Sequence, residues 1–199
     1  MICPTDAISI PELAPNKLQK LGELPDGEEV ANLLRGRRSI RSFRNKNLDS
    51  DLLKKIISLA STAPSFHNSQ TTEFVVIQNP KTLRLIEEYT TETMRKLVKA
   101  YKNVLTRPLF KLMFRKQINA AVSLVPFVEF AVQEQMAGRS IIFHDAPVVI
   151  VFHGHKGKMM AKENAQLCIQ NALMQLLLWV LVASIVPWSL LLRQETNVY

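Results

Sequence analysis

Six cations, Arg35, Arg37, Arg38, Arg41, Arg44 and Lys46, fall within twelve residues, the densest charge run in the chain. Guanidinium groups at this density can hold phosphate through forked, charge-assisted hydrogen bonds. Taken alone, such a run equally describes a solvated helix end or a nucleic-acid patch. A second concentration of polar chemistry is Ala63-Pro64-Ser65-Phe66-His67-Asn68-Ser69-Gln70, whose Pro, Ser and Asn also suit an ordinary helix-ending turn. His153 and His155 could offer two metal ligands, but no Cys or carboxylate is close in sequence. A polar turn after a strand accounts for them, and no metal site is expected. Gly154-His155-Lys156-Gly157 matches the bare GxxG of a KH-type loop, yet its flanks are not in KH order, so no nucleic-acid partner is expected. Cys3 and Cys168 are too few for a disulfide framework or a four-cysteine metal site and point to a reducing compartment.

The elements that must position these groups follow from composition and periodicity. The 199 residues are 47% hydrophobic and 21% charged, with a mean hydropathy of +0.04. One medium domain with a true core is expected, and wholesale disorder or a fibrous chain is excluded. Twenty-five Lys and Arg against seventeen Asp and Glu leave +8, a surface suited to phosphates, nucleic acid or anionic lipid. Six glycines, about 3% where roughly 7% is usual, nearly exclude glycine-built phosphate loops; there is no GxGxxG and no P-loop. No charged leader with an apolar segment opens the chain, so a cytoplasmic location is the default expectation.

Pro4, Pro11, Pro15 and Pro25 predict an extended arm over residues 1–27. A short helix is expected over 28–36, and Asp49-Ser50-Asp51 starts another that stops near Pro64. Phe74-Val75-Val76-Ile77 reads as a buried strand, and Asn79-Pro80 caps a helix reaching about Ala100. Residues 104–140 read as a helical excursion or lid interrupted by Pro108 and Pro126, and Pro147–Phe152 reads as a second strand. A long helix begins at Ala161. Strands alternating with helices, their apolar runs buried on both faces, predict an α+β or α/β domain.

Arg37-Arg38-Ser39-Ile40-Arg41-Ser42-Phe43 resembles the first signature of the FMN-dependent nitroreductase family, and Pro64-Ser65-Phe66-His67-Asn68-Ser69-Gln70 resembles its second, PSxxNxQ. Asp145-Ala146-Pro147, Glu163-Asn164-Ala165 and Gln170-Asn171 resemble the family's later half, so the similarity spans residues 28–180. The resemblance implies an α+β nitroreductase-like fold, with a central mixed or antiparallel sheet flanked by helices. It implies FMN as cofactor, bound by Arg37, Arg38, Ser39 and Arg41 at the phosphate and ribityl chain, and by Pro64, Ser65, Asn68 and Gln70 at the isoalloxazine and ribityl chain. If the first segment is extended, residues 37, 39 and 41 share one side. Thr71 stands where many relatives have Pro. No catalytic side chain is nominated, since the flavin accepts and returns hydride itself. The implied reaction is ping-pong, from NAD(P)H or reduced ferredoxin to a nitroaromatic, quinone or similar acceptor, in a cytoplasmic homodimer with flavin at its interface.

Cys3-Pro4-Thr5-Asp6-Ala7-Ile8-Ser9 resembles the last cysteine and tail of a ferredoxin-type cluster motif, which makes residues 1–27 the remnant of a ferredoxin-like module and 28–199 the flavin domain. One thiolate cannot hold a four-iron cluster, and none is expected. Beyond about residue 181 the chain departs from the family: the expected final strand and later basic residues are missing, which reads as truncation or frame shift. A catalytically impaired family member is therefore one alternative. Another is a tail-anchored membrane protein, because 172–192 contains only Gln175, Ser184 and Ser189 as polar residues and meets the length of a span. The leading expectation remains a protein without a membrane partner.

Overall fold

The structure is a computed structural model that describes residues 22–115, 118–155 and 157–178. The ferredoxin-like motif at Cys3 and the departure beyond residue 181 lie outside the described residues, as does most of the 172–192 run. The chain divides after Arg37 into two compact units.

In the first unit, α1 spans Gly27–Gly36. Its start is fixed by a reciprocal capping box: Asp26 accepts from the Glu29 backbone N–H at 2.8 Å, and Glu29 accepts from the Asp26 N–H at 3.0 Å. Arg35 sits in the last turn, where a cation complements the helix dipole.

The second unit holds α2 (Ser50–Ala60), β1 (Thr72–Ile77), α3 (Pro80–Lys102), α4 (Arg107–Met113), α5 (Ile118–Met136), β2 (Val149–Gly154) and α6 (Ala161–Leu178). Asp49 caps α2 by accepting from the N–H groups of Asp51 and Leu52, and Asn79 caps α3 through Lys81 and Thr82, with Pro80 in the first turn. The two strands pair antiparallel, Phe74 opposite Phe152 and Ile77 opposite Val149. Helices packed on one face of this two-stranded sheet make the architecture α+β.

Alternation along the strands decides where the core lies. Phe74, Val76, Ile150 and Phe152 turn toward α2 and α6 and pack against Leu53, Ile56, Ala60 and Ala172. The Phe74 and Phe152 rings meet edge to face at 5.2 Å. Ile56 is fully buried, which contributes about 1.5–3 kcal/mol relative to an exposed side chain. A second cluster, Leu83, Ile142 and Phe143 with Ile77, Ile86 and Val149, seats the start of α3.

Two expectations are corrected. The strands are not buried on both faces: Val75 and Val151 are exposed, so the apolar run marks one packed face and one open face. Nor does Pro126 interrupt the excursion, since α5 runs through it. Proline forfeits one helical hydrogen bond and crowds the preceding turn, but Val125, Ala131 and Val132 are buried on the same helix, and α3 packs along it. Pro108 behaves as a helix starter, in the first turn of α4.

Candidate functional site

Arg37 closes the first unit as the half-buried residue after α1, with an extended backbone (φ −65°, ψ 123°). Arg38, Ser39 and Arg41 open the second unit on a segment that is neither helix nor strand. Exposure there does not alternate: Arg38, Ser39, Ile40, Arg41 and Ser42 are all exposed, and Phe43 is the first half-buried side chain. The segment is anchored further along, where Leu48 packs on the α2 core and its carbonyl accepts from Gln78 Nε2 at 2.9 Å. Arg41 makes no ion pair among the described residues, but its charge reaches His144. Burial, reinforced by Arg41, lowers the His144 pKa below its ordinary value, with Glu87 and Asp145 opposing.

The loop carrying Pro64, Ser65, Asn68 and Gln70 follows α2. A single 3-10 turn, Phe66–Asn68, is stabilised by the Asn68 N–H donating to the Ser65 carbonyl at 2.9 Å. His67, Asn68 and Gln70 all have positive φ, 49°, 53° and 44°, a conformation that costs L residues energy and persists only when neighbours over-determine it. Those neighbours can be named. Ser65 Oγ accepts from the Gln70 N–H at 3.0 Å, closing the loop on itself. Asn164, 2% exposed on α6, accepts from the Phe66 N–H at 3.0 Å and donates from Nδ2 to Ser69 Oγ at 3.2 Å and Thr71 Oγ1 at 3.1 Å. With the backbone held from beneath, the Asn68 and Gln70 side chains stay exposed, 3.5 Å apart. Pro64 is exposed just after buried Ala63.

Asn164 stands within the Glu163-Asn164-Ala165 motif, whose sequence alone assigns it no role. Thr71, a departure from the family pattern, supplies a hydroxyl oxygen to Asn164 that proline could not provide.

Glu87 belongs to no motif in the sequence. This buried carboxylate on α3 accepts from the Ser140 hydroxyl and from the Phe143 N–H at 3.0 Å. Ser140 Oγ in turn accepts from the Asp145 N–H at 3.0 Å. The chain so held carries His144 and Asp145, both at φ 54°. Only the sequence position of Glu87, an acid amid the apolar face Leu83 and Ile86, could have signalled it.

His153 faces Glu73 across the strand pair at 3.7 Å. Among the described residues no group of three or more His, Cys, Asp or Glu is placed to hold a metal ion. No described helix is long and apolar enough to cross a membrane. Cys168 is buried on α6.

The unit is thus α+β, with a positive-φ polar loop braced by its last described helix and a basic segment that precedes α2 in the chain. The model of the Nitroreductase family matches residues 34–181, and the chain belongs to that family. Its fold is similar to a nitroreductase with bound FMN from Bacteroides fragilis NCTC 9343, at a TM-score of 0.50 and 18% identity over 74% of this chain and 64% of that one. It is also similar to an FMN-dependent nitroreductase from Clostridium difficile R20291, at 0.51 and 17%, over 77% and 58%. Oxidised iodotyrosine deiodinase bound to FMN and 3-iodo-L-tyrosine gives 0.50 and 16%, over 74% and 68%. The chain thus spans 64% and 58% of the lengths of the two nitroreductases. No curated protein matches it.

Proposed function

We propose that this chain binds FMN and serves as an oxidoreductase, passing electrons by a ping-pong sequence from NAD(P)H or reduced ferredoxin to a nitroaromatic, quinone or similar acceptor. The observation that carries the reading is the Pro64–Gln70 loop, whose backbone is fixed by Asn164 and Ser65 while Asn68 and Gln70 face outward. A planar polar ligand needs side chains presented this way, with donors and acceptors set before it arrives.

The residues present fit the cofactor. Arg38, Ser39 and Arg41 are exposed on a segment without helical hydrogen bonds, and Arg41 has no carboxylate to neutralise it among the described residues. With Arg37 added from the family signature, they supply the charge and donors that a phosphate dianion requires. Ser65, Asn68 and Gln70 would meet the ribityl chain and the ring, with Pro64 setting the loop's entry. FMN, when bound, supplies the hydride-accepting and hydride-returning chemistry. The protein's share is to bind, orient and expose it to donor and acceptor in turn. A cytoplasmic homodimer with the flavin at its interface is part of the proposal, as is a flavin domain beginning at residue 28 after an arm of ferredoxin-like origin.

The test is the visible spectrum of the purified protein after incubation with FMN and gel filtration. Flavin absorbance near about 450 nm in a dimeric peak is the expected result. The Arg37→Ala/Ser39→Ala variant should lose several kcal/mol of FMN affinity, at roughly 1.5–3 kcal/mol per charged hydrogen bond. A folded wild-type protein that elutes colourless would refute the proposal, and unchanged retention in the double variant would refute the phosphate assignment.

A further inference from the structure

Between Glu92 and Glu129 the chain has no acidic residue and eight lysines and arginines. The other 163 residues carry 17 cations and 17 acids, so the whole net charge of +8 resides in this one stretch. It forms the second half of α3, α4 and the start of α5. Three of its cations are spoken for: Arg95 and Lys96 pair with Glu92, and Lys102 with Glu129. Lys99, Lys111, Arg107 and Arg115 have no carboxylate partner among the described residues. Arg95, Lys99 and Lys102 line an open groove of about 540 Å³ along α3.

The same stretch projects apolar side chains. Val104, Leu105, Leu109 and Leu112 are exposed, and Leu105, at 88%, is more exposed than any other large hydrophobic residue described. Leu109 and Leu112 share one face of α4 at i, i+3 spacing and Leu105 lies in the turn just before it, while Phe110 on the other face of α4 is buried. Local hydrogen bonds set the turn from which Leu105 projects. Asn103 Oδ1 accepts from the Leu105 N–H at 2.9 Å, and Thr106 Oγ1 donates to the Ala100 carbonyl at 2.8 Å. Arg107 Nε donates to the Tyr101 carbonyl at 2.9 Å with its guanidinium over the Tyr101 ring.

We propose that this surface, from Lys99 to Arg115, docks on a bilayer of anionic phospholipid, with Val104, Leu105, Leu109 and Leu112 entering the headgroup boundary and the surrounding cations meeting lipid phosphates. Apolar side chains ringed by lysine and arginine are what interfacial binding requires, and anionic headgroups attract each added cation. A second copy of the chain is the poorer occupant, because two surfaces that each carry five cations and no acidic residue from Lys99 to Arg115 repel. Single-stranded nucleic acid is poorer too: stacking needs exposed rings, whereas the exposed groups from Val104 to Leu112 are aliphatic and Phe110 is buried. The mode is docking on a surface, distinct from spanning.

The experiment is co-sedimentation of the full chain with vesicles of phosphatidylcholine alone or mixed with phosphatidylglycerol. Binding only to the mixed vesicles, weakened by salt, is expected. Lys99→Ser/Lys111→Ser/Arg115→Ser should lower partitioning on the order of 100-fold, while a charge-matched control, Lys54→Ser/Lys81→Ser/Lys162→Ser, retains most of it. Leu105→Ser/Leu109→Ser should abolish it with helical circular dichroism intact. A polarity-sensitive fluorophore on Leu105→Cys, compared with labelled wild type, should shift to the blue on mixed vesicles, which reads the contact without removing the leucines' neighbours. Equal binding to both vesicles, full binding by the leucine variant or no fluorophore shift would each overturn the proposal. So would a leucine-dependent oligomer, or oligonucleotide binding, in protein that ignores the vesicles.

Discussion

Replacing Asn164 with Ala removes three hydrogen bonds from a side chain that is 2% exposed. Each bond is worth about 1 kcal/mol net, and the Phe66 N–H, part-buried and without another acceptor, loses its partner. The Ser69 and Thr71 hydroxyls lie nearer solvent and recover part of their loss from water. The expected cost is therefore about 2–3 kcal/mol, a Tm drop of roughly 4–12 °C for a chain of this size. Urea unfolding followed by circular dichroism measures it. A cycle with Thr71→Val should show a coupling of about 0.5–1 kcal/mol, because the two side chains share a bond. The loop's positive-φ residues relax when Asn164 is lost, so FMN affinity should fall alongside stability if the proposed site is correct. A destabilisation below about 1 kcal/mol with no coupling to Thr71 would refute the claim that Asn164 braces the loop.

Two further perturbations test other parts of the unit. A Cβ at Gly154 would lie 2.9 Å from Ala161 Cβ and 3.4 Å from the Thr71 carbonyl, so Gly154→Ala should cost about 1–3 kcal/mol by overpacking. Ala161→Gly in the same chain should restore most of it; thermal melts of the three variants decide. Because the His144 pKa lies below its ordinary 6.5, the unfolded chain binds that proton more readily than the folded one. Its contribution is therefore whole above pH 6.5 and is lost as pH falls through the lowered folded value. His144→Asn keeps a residue that tolerates φ 54° and should flatten the fall in urea midpoint between about pH 7 and pH 5; an unchanged slope would count against the reading.

Local signals were the legible part of the fold. Asp49, Asn79 and Pro80 announced helix starts that the structure keeps, because capping depends on groups within three residues of each other. The β-branched runs at Val75–Ile77 and Val148–Val151 announced strands, and the two family signatures coincide with the basic segment and the polar loop. Sequence and structure part where distant groups compete with local preference. The strands' open face depended on which elements cover them, and Pro126 stayed helical because of what α5 packs against.

By itself, then, the sequence determined α1, α2, α3, α6 and the two strands, the charge division that places all net positive charge between Glu92 and Glu129, and membership of the nitroreductase family over residues 34–181. Only the tertiary structure decided that Asn164 lies beneath a loop 98 positions earlier in the chain, and that Glu87 holds a segment more than fifty residues later. The physical reason is that a buried polar side chain must find partners wherever the fold brings them, and no periodicity or motif encodes a partner so far along the chain.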